Sequence, residues 1–75
     1  MAYADKKDFD RAIADYTEAI RLDPNYATAY YNRGLASYYK GDYARAHADW
    51  EKALQLNPND TTARDNLELL RKQGR

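Results

Sequence analysis

Residues 27–60 read ATAYYNRGLASYYKGDYARAHADWEKALQLNPND, and this stretch decides the fold. Over residues 26–39 apolar residues recur at near-helical spacing and predict a helix with a wide aromatic face: Tyr26, Ala29, Tyr30, Leu35 and Tyr38. Lys40-Gly41-Asp42 then breaks this pattern. We expect Gly41 to end the helix in the left-handed conformation and Asp42 to cap the next helix with its carboxylate.

The second half of the stretch predicts another amphipathic helix. Its apolar residues are spaced by three and four, so that they share one face: Tyr43, Ala46, His47, Trp50, Ala53 and Leu54. Pro58 should stop this helix, because proline lacks a backbone donor and disfavours helix at the preceding residue. We expect two antiparallel helices that approach closely at small residues, with aromatic residues filling the remaining space: Gly34, Ala46 and Ala53 are small, and Tyr30 and Trp50 are aromatic.

The pattern of residues 27–60 recurs on both sides at an offset of about 34 residues, the period of one class of helical repeat. At that offset about fifteen of 41 aligned residue pairs are identical, far above chance. The upstream copy holds Ala12, Tyr16, Ala19 and Pro24 where the central copy holds Ala46, Trp50, Ala53 and Pro58. Neighbouring hairpins can therefore bury each other's apolar faces.

Six residues of the central copy match the pattern of the tetratricopeptide repeat (TPR), which runs Trp-x2-Leu-Gly-x2-Tyr, then Ala-x3-Phe, Ala and Pro: Tyr30, Gly34, Ala46, Trp50, Ala53 and Pro58. The chain thus resembles a TPR protein. The resemblance implies an all-α fold, a helix-turn-helix α-solenoid of antiparallel helix pairs that forms part of a right-handed superhelix. Arg33 stands where Leu is usual and Ser37 where Tyr is usual, and both departures should loosen packing in the first helix.

The repeat boundaries predict one TPR-like domain in three parts, with residues 1–26 as an N-terminally truncated repeat, 27–60 as a full repeat and 61–75 as a capping helix. Residues 1–6 correspond to half of a first helix, and Asp8 should cap the helix that follows, Phe9–Leu22. On the last helix one face is charged and the opposite face is apolar: Arg64, Glu68 and Arg71 against Ala63, Leu67 and Leu70. A polar outer face is what the terminal unit of a solenoid needs for solubility.

Composition limits the classes of partner. The 75 residues allow one small domain, and twelve basic residues balance twelve acidic ones. No basic run is longer than Lys6-Lys7, so a nucleic-acid partner is not expected. No apolar run approaches the ~20 residues that span a bilayer, and residues 1–5 lack the apolar segment of a signal peptide. The sequence therefore predicts no membrane partner and a cytoplasmic location.

The residues that catalysis or metal binding would need are scarce. His47 is the only histidine, and the chain has no cysteine. Gly34 and Gly41 are isolated, so no glycine-rich phosphate loop is present. Carboxylates on the helices are expected to face solvent: Asp15, Glu18, Asp49 and Glu51. We predict that the chain is not an enzyme and has no catalytic, cofactor or metal site.

Tyrosine is the unusual residue type, with eight in the chain. The TPR resemblance implies that the first helix of each repeat lines a concave groove, which binds a peptide or a partner helix. Carried over by position, the groove residues are Thr28, Tyr31, Asn32, Leu35, Tyr38, Tyr39, Asp65, Asn66 and Leu69, continued by Lys72 and preceded by Asp5. Tyr supplies contact area at low entropic cost, and Asn can both donate to and accept from a peptide backbone. The alternative is that these tyrosines only cover a shallow surface.

A more specific TPR ligand, the C-terminal carboxylate of heat-shock chaperones, is not expected. Asn32 matches the middle residue of the Lys/Asn/Arg clamp that the resemblance implies. The columns that should be basic hold Thr62 and Asn66 instead.

The second functional hypothesis is a structural one. Loss of half a helix should uncover Ala12, Tyr16 and Ala19. Three explanations stay open: the chain begins inside a larger array, it is a deliberate fragment, or, natural or engineered, it self-associates through this face. A symmetric homo-oligomer fits better than head-to-tail growth, because Arg64, Glu68 and Arg71 make the opposite end charged.

Overall fold

The computed structural model describes residues 6–74, which form four α-helices. These are α1 (Lys6–Leu22), α2 (Ala27–Lys40), α3 (Tyr43–Leu56) and α4 (Thr61–Lys72). Each helix packs on the next along the chain, α1 on α2, α2 on α3 and α3 on α4. Within residues 6–74 there is no β-strand. The all-α helical-repeat fold expected from the sequence is confirmed.

The turn between α2 and α3 has the predicted chemistry. Gly41 takes a left-handed conformation with φ of 99°, which is costly for residues that have a Cβ. Its N–H donates to Tyr38 O, and the N–H of Asp42 donates to Ser37 O, so two terminal carbonyls of α2 are satisfied. The Asp42 carboxylate then accepts from the N–H of Arg45 at 3.2 Å and caps α3.

The turns after α1 and α3 are copies of each other. Asp23 N–H donates to Ala19 O, and Asn57 N–H donates to Ala53 O, both at 2.9 Å. In each turn a side chain also accepts a hydrogen bond from the backbone N–H two residues later. Asp23 accepts from Asn25 N–H, and Asn57 accepts from Asn59 N–H. The 34-residue period therefore describes local backbone geometry as well as residue type.

The core lies where α2, α3 and α4 meet. Its buried members are Ala46, Trp50, Ala53, Ala63 and Leu70. Trp50 is 1% exposed, and its indole Nε1–H donates to Tyr31 O at 3.1 Å. A Cβ added to Gly34 would lie 2.7 Å from Trp50 Nε1, so glycine is what lets α2 and α3 come together here. The predicted pairing of small and aromatic residues is confirmed at this contact.

α1 departs from the sequence prediction. We expected Asp8 to cap a helix starting at Phe9, but α1 already contains Lys6 and passes through Asp8 without a break. The reason lies at Lys7, which occupies the column of Gly41. A lysine pays a steric penalty in the left-handed conformation that ends α2, so the chain stays helical. The rest of the predicted half helix, residues 1–5, lies outside the described residues.

Arg33 and Asp49 give two further corrections. Asp49 was expected to face solvent, but it is only 3% exposed. Arg33 donates from Nε and Nη2 to the two carboxylate oxygens of Asp49 at 2.8 and 2.7 Å. Arg33 thus joins α2 to α3 through a bidentate ion pair, and the expectation that it loosens the packing is wrong. Asp49 raises the pKa of Arg33 mainly through this hydrogen bonding, against a smaller opposing effect of burial.

α4 closes the described part of the array as predicted. Ala63 and Leu70 are fully buried, and Leu67 packs against the core from the same helix. On the other side of α4, Glu68 and Arg71 form an ion pair at the surface. The helix therefore has one face that packs on α3 and one that is charged and exposed.

Candidate functional site

Helices α2 and α4 are the first helices of successive hairpins, and side chains join them directly. Asn66 Nδ2 donates to the Tyr31 hydroxyl at 3.3 Å. Near the C-terminal ends of the two helices, the Tyr38 hydroxyl donates to Gln73 Oε1 at 3.1 Å. We call the predicted groove residues on this helix pair the α2–α4 surface: Thr28, Tyr31, Asn32, Leu35, Tyr38, Tyr39, Asp65, Asn66 and Leu69.

Aromatic rings run across one end of this surface. The Tyr38 ring centroid lies 5.9 Å from that of Trp50 and 5.5 Å from that of Tyr39. Tyr39 in turn stacks on Phe9 of α1, with the centroids 6.0 Å apart and the planes 22° apart. Tyr39 nevertheless remains 62% exposed. The row of rings therefore holds a large, rigid and exposed tyrosine in a fixed position.

The predicted residues differ in what they have to offer a ligand. Tyr31, Leu35 and Tyr38 are half-buried and pack against the core, so part of each side chain is structural. Tyr39 and Leu69 are exposed, Leu69 at 43%. Of the remaining residues, Thr28, Asp65 and Lys72 are exposed. Asn32 and Asn66 are half-buried. Asp5 lies outside the described residues.

The Asn32 side chain has unused hydrogen-bonding capacity. It makes no hydrogen bond with any other residue in the range 8–74. Its amide can both donate and accept, which matches the alternating groups of a peptide backbone. Asn66, its counterpart one period later, already uses one donor on Tyr31.

Helix geometry sets the length of the surface. Thr28 and Tyr39 mark its two ends on α2. Eleven residues at 1.5 Å per residue separate them by about 16 Å. An extended chain covers that distance with about five residues. The surface is therefore long enough for a short peptide segment or about three turns of helix.

The sequence analysis missed two residues at this surface. Gln73 bonds Tyr38 and Phe9 supports Tyr39. Gln73 occupies the column of Tyr39 one period later, so extending the groove columns by one more residue would have found it. Phe9 belongs to a second helix, and its contact with Tyr39 depends on how α1 packs on α2.

The predicted self-association residues sit on the other end of the molecule. Ala12, Tyr16 and Ala19 of α1 are half-buried, and Leu22 on the same side is 71% exposed. This face and the α2–α4 surface are therefore two separate candidate contacts.

The ionisable side chains outside the α2–α4 surface form no metal-binding group in residues 8–74. Residues 8–74 hold no group of three or more His, Cys, Asp or Glu side chains placed to share a metal ion. His47 is exposed on α3, with Nδ1 3.4 Å from Glu51 Oε1. A shallow cleft of about 580 Å³ between α3 and α4 is lined by Ala48, Glu51, Lys52, Leu54, Gln55 and Leu67.

Two family models match the chain. One, described as TPR repeat, matches residues 2–38, and the other, described as Tetratricopeptide repeat, matches residues 27–60. The chain belongs to the tetratricopeptide repeat family. No curated protein matches it significantly.

TPR units are in general protein–protein interaction modules, and the family as a whole is non-catalytic. The second match covers the same residues as the central copy of the TPR pattern, with Gly34, Trp50 and Pro58 at its fixed columns. Across residues 6–74 of this TPR protein, no helix has both the length and the apolar character needed to cross a membrane.

Proposed function

We propose that this TPR protein is a non-catalytic protein-interaction module that binds a short peptide or a partner helix on the α2–α4 surface. The observation that carries the proposal is the exposure of Tyr39 and Leu69 on two helices that hydrogen bonds hold side by side. A tyrosine supported by Phe9 stacking loses little entropy when it binds, because its ring is already positioned.

The polar groups supply a second part of the argument. Asn32 has free donors and an acceptor at the middle of the surface, between Thr28 and Tyr39. Apolar contacts at Tyr39 and Leu69 and backbone hydrogen bonds at Asn32 suit a peptide of mixed polarity. The surface is short, and we expect an interface below the ~1,200 Å² of a standard complex and a correspondingly modest affinity.

A displayed library of linear peptides tests this proposal. Peptides selected on the wild-type chain would be synthesised, and their Kd values measured by fluorescence anisotropy. We expect Tyr39→Ala and Asn32→Ala to weaken binding about tenfold each, since each removes one good contact. Tyr26→Ala is the matched control, because Tyr26 is an exposed tyrosine in the turn before α2.

Two outcomes would end the proposal for this surface. One is that Tyr26→Ala weakens binding as much as Tyr39→Ala. The other is that selected peptides bind all three variants as well as the wild type.

The self-association hypothesis concerns α1 and stays a prediction. It calls for the molar mass in solution to rise with concentration. A different occupant fits the side chains of this α1 face better than a second copy does.

A further inference from the structure

α1 and α3 present the same five columns on one side, and only α3 has them covered. The residues are Ala12, Asp15, Tyr16, Ala19 and Leu22 in α1, which correspond to Ala46, Asp49, Trp50, Ala53 and Leu56 in α3. We call the first set the open face of α1. In α3 four of the five are buried, whereas in α1 none is, and Asp15 and Leu22 are exposed.

The packing of α2 on α3 shows what this face is shaped to receive. Gly34 leaves room for the Trp50 ring, and Arg33 reaches the Asp49 carboxylate with two hydrogen bonds. Arg33 and Gly34 are adjacent in sequence. A single Arg-Gly step therefore leaves room for the large ring of the opposite helix and also pairs with its carboxylate. α1 carries a large ring and a carboxylate at the same two columns, namely Tyr16 and Asp15.

We propose that the open face of α1 is a docking site for a partner helix that carries an Arg-Gly step in the register of Arg33-Gly34. The glycine would pass over Tyr16, and the arginine would pair with Asp15. Charge complementarity favours this occupant: Asp15 has no hydrogen bond or ion pair with any residue in the range 8–74, and Asp8 adds a second exposed carboxylate two turns earlier.

The helices of a second copy fit this face poorly. α4 offers Leu67-Glu68 at the Arg-Gly register, which removes the cation and puts a Glu side chain at the column where α2 has a glycine against the Trp50 ring. A second α1 has no glycine. α2 has the required step, but it is already packed on α3 through those residues. The occupant is therefore a helix other than those formed by residues 6–74.

The test uses a peptide taken from the chain itself. A labelled peptide of residues 26–41, YATAYYNRGLASYYKG, contains the Arg-Gly step and would be titrated into the full chain. We expect saturable binding with a Kd below about 1 mM. Backbone amide signals should move for the open face of α1 and stay in place for α4. Circular dichroism would check that each protein variant keeps its helices.

Matched variants isolate the charge pair. Asp15→Ala in the chain and Arg33→Ala in the peptide should each weaken binding about tenfold, and together no more than either alone. Gly34→Leu in the peptide should abolish binding. Glu18→Ala, which removes an exposed carboxylate from the solvent side of α1, should leave the Kd unchanged.

Three results would overturn the proposal. They are absence of binding up to about 1 mM, equal effects of Asp15→Ala and Glu18→Ala, and signal changes at the α2–α4 surface in place of α1. A concentration-dependent doubling of mass that Leu22→Glu abolishes would also overturn it, since a second copy would then occupy the face.

Discussion

α1 and α3 are copies of one helix in two environments. Trp50 is 1% exposed, whereas Tyr16 in the same column is half-buried. Asp49 and Asp15 are the same residue type one period apart, yet only Asp49 is buried and paired. Burial at these columns therefore depends on the neighbouring helix. The residue in the column decides which neighbour fits.

The turns that follow α1 and α3 do not differ as the environments of the two helices do. Both end in turns with the same backbone hydrogen bonds and the same Asx-type contact, at Asp23 and at Asn57. The local chemistry at the C-terminal ends of α1 and α3 is therefore repeated, although their tertiary environments differ. Substitutions at equivalent columns should separate these two contributions.

The largest contrast is expected between Trp50→Ala and Tyr16→Ala. Removing a buried Trp costs about 3–5 kcal/mol, which matches the whole stability expected of so small a core. Trp50→Ala should therefore unfold the chain at 25 °C. Tyr16→Ala should cost about 1 kcal/mol, because less apolar area is covered. Urea unfolding followed by circular dichroism measures both, and equal costs would contradict the comparison.

The paired aspartates should differ next most. Asp49→Ala leaves Arg33 partly buried without its carboxylate, and we expect a loss of about 2–3 kcal/mol in the free energy of unfolding. Asp15→Ala should change it by less than about 0.5 kcal/mol, as for an ordinary surface position. Thermal unfolding of the two variants side by side would decide. A stable Asp49→Ala protein would show that the ion pair contributes little.

Gly41→Lys would place the residue of Lys7 into the turn between α2 and α3. The left-handed conformation should then cost about 1–2 kcal/mol. Gly74 also has a positive φ, but it lies beyond α4, so Gly74→Lys should cost less. Differential scanning calorimetry on both variants checks this. If Gly41→Lys keeps the wild-type Tm, a steric penalty at Lys7 does not account for the unbroken α1.

The smallest contrast lies on the solvent side of the two helices. Glu18 and Arg21 form an ion pair on α1, where α3 has Lys52 and Gln55. The hydrogen bond from Arg21 lowers the pKa of Glu18. Its small stabilising effect is present above the unfolded-state pKa and disappears as pH falls through the folded-state pKa.

An NMR titration of the Glu18 carboxyl carbon tests that effect. Arg21→Gln, which copies the residue of α3, should raise the pKa of Glu18 back to its ordinary value. A titration curve that is identical in both proteins would contradict the assignment.

Several parts of the fold could be predicted because they depend on neighbours within a few residues. Spacing by three and four marked the helices, Gly41 and Pro58 marked their ends, and a 34-residue offset showed that the hairpins repeat. The start of α1 was predicted wrongly for a local reason at Lys7, whereas the errors at Arg33 and Asp49 came where a residue meets a distant one. The sequence predicts that Asp49 lies at the surface. In the structure its carboxylate pairs with Arg33, which lies sixteen positions earlier.

The candidate site shows the same division. The groove columns followed from the TPR pattern, and the structure links Tyr31 to Asn66 by a hydrogen bond. The support of Tyr39 by Phe9 could not be read from spacing, because it requires the packing of α1 on α2.

By itself, the sequence determined the helices, the repeat and the family, because backbone propensity, capping and periodic burial act over short distances. Only the tertiary structure decided which copies of a column are buried, paired or open. That outcome depends on the helix lying opposite, and identical residues such as Asp15 and Asp49 carry no record of it.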